Sequence, residues 1–108
     1  MTATRINPDY GVTSSMTLAT NVFLYTCGRI VMLVFYGNSI PANTGTYSTR
    51  HIIGTVPSGL RPPRAVHSQM NTSTSPHTIR VGENGEVSAR NSTASAVDCY
   101  ECLTWIAM

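Results

Sequence analysis

The segment Ile30–Tyr36 reads IVMLVFY and is apolar at every position. In an extended strand, successive side chains point to opposite faces, so both faces of this strand would be apolar. We therefore expect one face to pack in a core and the other to contact a neighbouring copy of the chain. The candidates for that oligomer interface are Ile30, Met32, Val34, Tyr36 and, near the end of the chain, Trp105.

Two hairpins are predicted from turn residues between apolar runs. The runs Thr17–Thr26 and Ile30–Asn38 flank a break at Cys27–Arg29, which is typical of a hairpin. In Thr78–Ala89 the turn GENG separates TIRV from EVSA, and Asn84-Gly85 offers the positive-φ residues that a tight turn needs. We expect the side chains of these strands to pair across the turn.

The rest of the chain alternates between short extended segments and polar loops, with no sustained helical period. The prolines between Pro57 and Pro63 exclude both a helix and a central strand there. The predicted fold is an all-β antiparallel sandwich, jelly-roll-like, with residues 1–15 as an extended arm and residues 16–108 as the single domain. Further strands are expected at Arg50–Val56, Ala65–Met70 and Ala96–Ala107, and loops at Gly37–Thr49, Asn71–Pro76 and Arg90–Ser95.

The charge pattern excludes some partners. Only 11% of the 108 residues are charged, and all seven basic residues are arginines spread along the chain. A nucleic-acid binder concentrates its cations to neutralise phosphates, so we expect no nucleic acid as a partner. The most apolar stretch, Val22–Tyr36, is too short to span a bilayer, and residues 1–10 lack the apolar core of a secretory signal.

Three phrases in a fixed order resemble a known family. GTVPSGLRPPRAV at Gly54–Val66, TIRVGENGEVSA at Thr78–Ala89 and LTWIA at Leu103–Ala107 are similar to phrases in the head domains of tail fibres and receptor-binding proteins from phages of Gram-positive bacteria. The resemblance covers roughly Val22 to Ala107. It implies a homotrimeric β-sandwich that resides in the virion, is made in the bacterial cytoplasm and binds cell-wall saccharides or teichoic acids of the host.

The sequence departs from that family in two ways. Only about twenty residues precede the first hairpin, where the family carries a virion-anchoring shoulder, and Leu60 stands where the family commonly has Tyr. An alternative is therefore a decoration or assembly protein of a capsid or tail, held to other virion proteins by the arm. A non-viral trimeric sandwich of the complement-like or tumour-necrosis-factor-like kind is a third possibility.

Residues for saccharide binding are sought among aromatic and planar polar side chains on predicted loops. A sugar ring stacks on a flat aromatic face, while forked or planar groups bond its hydroxyls. For each candidate the alternative is a surface residue without a ligand. The candidates are Tyr47, Arg50, His67, Asn71 and His77.

No catalytic or cofactor motif is present in the sequence. Cys99 and Cys102 form a C-x-x-C, but in a strand this spacing directs the two thiols to opposite faces, so small buried thiols are favoured over a metal or redox site. Glu83 and Glu86 flank an exposed turn, which does not suit paired-carboxylate chemistry. We expect a binding protein, with no enzyme activity, metal or cofactor.

Overall fold

A computed structural model describes residues 14–69 and 77–107. The described chain is all-β, as predicted, and no helix in it has the length and hydropathy to cross a membrane. Its strands are β1 Ser14–Ala19, β2 Val22–Cys27, β3 Ile30–Ile40, β4 His51–Thr55, β5 Val66–Gln69, β6 His77–Val81, β7 Glu86–Asn91 and β8 Val97–Ile106.

The strands form two four-stranded antiparallel sheets, ordered β1-β2-β3-β8 and β4-β7-β6-β5. The sheets pack face to face, with β3 against β7, β1 against β4 and β5 against β8. In the second sheet β5, β6 and β7 are neighbours in sequence, and β4 returns beside β7 as a Greek key. The predicted antiparallel sandwich is confirmed.

Strand alternation explains which side chains enter the core. Val31, Leu33 and Phe35 of β3 are buried, and the residues between them face outward, as the two-sided apolar pattern predicted. Each fully buried aliphatic or aromatic side chain contributes about 1.5–3 kcal/mol. The inner rows of both sheets supply the buried apolar core, which is Val22, Leu24, Val31, Leu33, Phe35, Ile40, Val56, Ile79, Val81, Val87, Ala89, Cys99, Leu103, Trp105 and Ala107.

The predicted break at Cys27–Arg29 is confirmed as the turn between β2 and β3. The run before it holds a second turn, at Thr20–Asn21, which divides β1 from β2. Asn21 has a φ of 57°, a left-handed conformation that Asn tolerates better than most residues. Its carbonyl oxygen accepts a hydrogen bond from the Tyr36 amide at 2.8 Å, so the turn is fastened to β3.

The prediction of a loop from Gly37 is wrong at its start, because β3 continues to Ile40. A bulge between Tyr36 and Asn38 shifts the register against β8. Gly37 has a φ of 88°, which permits this bulge, and the shift turns Asn38 and Ile40 inward. The apolar pattern alone does not reveal such an inserted residue.

The connection from β4 to β5 crosses from one edge of the second sheet to the other and contains no strand, as its prolines predicted. It covers one end of the core. The indole Nε1–H of Trp105 donates to the Leu60 carbonyl oxygen at 2.7 Å, and Arg61 Nε donates to Val56 O at 2.8 Å. Trp105 is 5% exposed, so it fills the core of its own subunit rather than the outward interface for which it was a candidate.

The hairpin at Thr78–Ala89 is confirmed, with Ile79 opposite Ala89 and Val81 opposite Val87. Gly85 provides the positive φ of its turn, at 87°, whereas Asn84 does not have a positive φ, so the expectation holds for the glycine alone. The proposed arm lies outside the described residues up to position 13, and its last two residues belong to β1. The predicted loop Asn71–Pro76 also lies outside the described residues.

Candidate functional site

The outward face of the second sheet is polar. Because Ile79, Val81, Val87 and Ala89 point into the core, the residues between them point outward. Two arginines stand diagonally on this face, each opposite a hydroxyl residue on the adjacent strand. The opposed pairs are Arg80 with Ser88 and Arg90 with Thr78.

A loop after β3 carries Tyr47 to the edge of this face. Two hydrogen bonds to Asn91 hold this loop on β7. The Asn91 backbone amide donates to Thr44 Oγ1 at 2.9 Å, and the Asn91 carbonyl oxygen accepts from the Thr44 amide at 2.8 Å. A short turn then closes between Thr46 and Thr49, whose hydroxyls lie 2.7 Å apart. Tyr47, within that turn, is 63% exposed.

Arg50 fastens Tyr47 to the sheet. Its Nη1 donates to the Tyr47 carbonyl oxygen at 2.6 Å, and its Nε and Nη2 donate to Glu86 Oε1 at 3.2 and 2.9 Å. The same guanidinium lies over the Tyr47 ring, with its carbon 4.0 Å from the ring centroid. The ring orientation is therefore set by stacking and by hydrogen bonds together.

Two shallow hollows lie side by side beneath Tyr47. The first has a volume of about 400 Å³ and is lined by Tyr47, Arg50, Arg80, Glu83, Asn84 and Glu86. The second has a volume of about 280 Å³ and is lined by Tyr47, His67, Thr78, Arg80, Ser88 and Arg90. Tyr47 and Arg80 border both, so the hollows form one continuous surface, which we call the polar face and define by these ten residues.

The two hollows differ in charge. In the first, the two arginines are matched by Glu83 and Glu86. The second contains two arginines and a histidine, and no carboxylate lines it among the residues the structure describes. The polar face thus has a balanced half and a cationic half.

Three saccharide candidates, Tyr47, Arg50 and His67, come together on the polar face. Asn71 lies outside the described residues, and His77 lies in β6 with its side chain outside the description. Sequence reasoning missed Arg80 and Arg90, although the confirmed hairpin register, applied to its alternate positions, would have placed both on the outward face.

The outward face of the first sheet is mostly apolar, although Thr104, opposite Met32, is an exposed polar residue within it. An area without formal charges extends across all four strands of this face. It reaches from the cross-strand pair Ile30–Ile106 at one end to the pair Tyr36–Tyr100 at the other. Tyr36 and Tyr100 meet edge to face, with ring centroids 5.9 Å apart. We call this surface the apolar face; it consists of Tyr25, Ile30, Met32, Val34, Tyr36, Tyr100, Cys102 and Ile106.

The cysteines do not form a site. The thiols of the C-x-x-C motif lie on opposite faces, as expected: Cys99 is buried and Cys102 is exposed. Cys27 is exposed too, so the expectation of buried thiols holds for Cys99 alone. Burial, with a smaller effect of the Glu101 charge, raises the pKa of Cys99 to about 12. Within residues 14–69 and 77–107, no group of three or more His, Cys, Asp or Glu side chains is placed to hold a metal ion.

Asn91 corrects a prediction about exposed loops. It belongs to the predicted loop Arg90–Ser95, but it is the last residue of β7 and its side chain is fully buried. The amide Nδ2 donates to the carbonyl oxygens of Ile40 and Ser95 at 3.3 and 2.9 Å. Its Oδ1 accepts from the Thr93 amide and hydroxyl at 3.0 and 2.6 Å, so the polar side chain serves as an internal anchor.

Comparison of the sequence with protein-family models and with curated proteins found no match.

Proposed function

We propose that this chain is the receptor-binding head of a phage-type tail fibre or baseplate protein and that it attaches a virion to a saccharide on the bacterial surface. The observation that carries the proposal is the convergence of Tyr47, Arg50 and His67, chosen from the sequence as saccharide candidates, on one shallow face. The role is binding rather than catalysis. The three ordered sequence phrases support the phage assignment.

The chemistry of the first hollow suits a sugar. A sugar hydroxyl both donates and accepts, and here Arg80 offers N–H donors beside the carboxylate acceptors of Glu83 and Glu86. Asn84 supplies an amide. Tyr47 adds an exposed aromatic edge at the rim, held in place by Arg50. An open hollow of this kind favours one or two sugar units at the end or along the side of a polymer.

Self-association would raise the overall affinity of a protein whose single sites are shallow and bind weakly. The apolar face and the polar face belong to different sheets, so copies that meet through the apolar face leave every polar face free. Several weak sites on one assembly raise the effective concentration of the second and third contacts. We propose the apolar face as the subunit contact and a homotrimer as the assembly.

The test is binding of the purified full chain to an array of bacterial surface polysaccharides. Wild type is expected to bind at least one of them, and Tyr47→Ala is expected to weaken that binding by about tenfold, the effect of losing one well-placed contact. Tyr36→Ser, which changes an exposed tyrosine on the apolar face, is the matched control. It should retain the affinity of each single site, measured with a monovalent fragment of the same polysaccharide.

Two results would overturn the proposal. One is the absence of binding to any polysaccharide of the array by a chain that is folded by circular dichroism. The other is equal weakening by Tyr47→Ala and Tyr36→Ser of binding to the monovalent fragment, because the polar face would then have no special role.

The second candidate is a decoration or assembly protein, and the apolar face favours it. A contiguous uncharged face on a soluble protein marks a contact surface, for another virion protein as well as for a second copy. Light scattering separates the two: a monomer at micromolar concentration would remove the trimer and favour docking on another virion protein. In that case Ile30→Ser should abolish incorporation into particles, while Tyr47→Ala should leave it intact.

A further inference from the structure

The second hollow of the polar face has an unusual lining. Arg80 and Arg90 border it, His67 stands opposite Arg80 on β5, and the hydroxyl residues Thr78 and Ser88 occupy the positions between them. This arrangement follows from the register of three neighbouring strands, so the groups are placed by the sheet rather than by a loop. A rigid sheet holds such groups in a fixed mutual geometry.

The side chains of the two arginines in this hollow have no ion pair or hydrogen bond among the residues that the structure describes. Arg50 is neutralised by Glu86 at 2.9 Å, whereas no described acidic side chain lies within ion-pair distance of the guanidinium groups of Arg80 and Arg90. Arg90 has the Tyr47 ring as its neighbour, 5.9 Å from its guanidinium carbon. The polar face as a whole has three arginines and the two carboxylates of Glu83 and Glu86, so one positive charge is left without a counter-charge, and a bound anion would balance it.

Ser88 provides a second, independent indication. It is 3% exposed although it belongs to the outward row, and it lines the hollow. Its hydroxyl makes no hydrogen bond to the described part of the chain. The hydroxyl is not among the buried unpaired side-chain atoms of the described residues, so it remains accessible from the hollow, where a ligand or water can form a hydrogen bond with it.

We propose that this hollow binds an acidic group, a phosphate or a carboxylate, carried by the saccharide that the polar face recognises. Arg80 and Arg90 supply charged N–H donors, and Thr78 and Ser88 supply neutral hydroxyl donors, which is the donor set that an oxyanion takes up. The volume of about 280 Å³ exceeds that of a water molecule, about 30 Å³, several times over and leaves room for the attached sugar. The adjoining balanced hollow then takes a neutral part of the same polymer. The saccharide carrier rests on the proposed function, whereas the anion site itself does not.

The first test uses inorganic phosphate alone, titrated into the full chain and followed by amide chemical shifts in NMR. The amide chemical shifts of Arg80, Ser88 and Arg90 should change with the same dependence on phosphate concentration and reach a plateau. Arg90→Gln should weaken phosphate binding by about tenfold. Arg29→Gln is the control, because it removes the same charge from an exposed turn at the end of the first sheet. Equal weakening by Arg29→Gln, or the absence of shifts at the hollow, would overturn the proposal.

The second test compares three polysaccharides at matched ionic strength: one with phosphate groups, one with uronic carboxylates and one neutral. An acidic polymer that binds at least about tenfold more tightly than the neutral one, with a preference that Arg90→Gln removes, supports the proposal and identifies the group. Equal affinity for the neutral polymer overturns the acidic-group inference and leaves saccharide attachment standing. Phosphate binding at the hollow without binding of any polysaccharide overturns the proposed function and leaves the anion site standing.

Discussion

The guanidinium of Arg50 stacks on the ring of Tyr47 while its Nη1 donates to the carbonyl oxygen of the same residue at 2.6 Å. Glu86 holds the other edge of the guanidinium on the sheet. One planar group thereby fixes a loop residue that would otherwise move with its loop. The position of Tyr47 over the two hollows depends on this contact.

Arg50→Lys is expected to loosen that loop. Lysine keeps the charge but can neither stack as a plane nor donate in the directions of a guanidinium. The free energy of unfolding should fall by about 1 kcal/mol, since the ion pair and the ring contact are both partly exposed. Denaturant unfolding measures the loss, and NMR relaxation at the Tyr47 amide measures the loosening. Arg64→Lys, at an exposed arginine without a hydrogen bond to the described residues, should change neither, and equal effects at both positions would contradict the interpretation.

Asn91→Asp is expected to destabilise the fold although the side chain keeps its size. The Nδ2 group that donates to Ile40 O and Ser95 O would become an oxygen facing two carbonyl oxygens. Loss of these bonds in a fully buried position should cost about 3 kcal/mol or more. Thermal and denaturant unfolding measure this cost. Ser58→Ala, at an exposed position, should stay within about 0.5 kcal/mol of wild type, and a similar value for Asn91→Asp would show that the anchor is dispensable.

The sequence predicts those parts of this fold that depend on local chemistry. Alternation placed Val31 inward, and the residues around Gly85 identified the hairpin. The Gly37 bulge was missed because an inserted residue reverses the alternation without changing the apolar composition. Asn91 was assigned to the surface because its partners, Ile40 and Thr44, are far away in sequence and close only after folding.

The candidate site was predicted in part for a similar reason. Tyr47 and His67 stood out as aromatic and planar residues on polar segments, whereas Arg80 lies in β6 and Ser88 in β7, where the hairpin pattern predicted only the inward side chains. Their proximity to His67 follows from the pairing of β5 with β6. That pairing joins segments separated by the residues 70–76, and no local pattern determines it. A site built from neighbouring strands therefore becomes visible only once the order of strands is known.

Gly85→Ala is expected to destabilise the fold far more than Gly59→Ala. Both glycines have positive φ, at 87° and 93°, so alanine is strained at either position. A Cβ at Gly85 would lie 2.6 Å from Val56 O and 2.5 Å from Arg61 Nε, while a Cβ at Gly59 would meet nothing within 4 Å. Gly59→Ala should cost about 1–2 kcal/mol, the backbone strain alone. Gly85→Ala must in addition displace the β4–β5 connection, so it should cost more. If denaturant unfolding showed equal losses of stability for the two variants, the connection would move aside at no cost.

Cys99 should make stability depend on pH above 9. Its pKa in the folded chain is raised from 9.0 to about 12, mainly by burial, so the folded state keeps the thiol proton after the unfolded state has released it. Since the unfolded state binds fewer protons in this window, stability must fall as the pH rises from 9 towards 12, by up to about 1.4 kcal/mol per pH unit. Below pH 9 both states hold the proton, and the effect vanishes.

Replacing the buried thiol isolates this contribution from that of other groups that titrate in alkali. Between about pH 8 and about pH 10, wild type should lose roughly 1 kcal/mol more than Cys99→Ala in urea unfolding under reducing conditions. Cys102→Ala, at the exposed thiol on the opposite face of the same strand, is the matched control for the loss of a thiol. If Cys99→Ala and wild type lost the same stability, the thiol at position 99 would titrate in the folded chain as it does in the unfolded one. That result would contradict the burial of Cys99 between the two sheets.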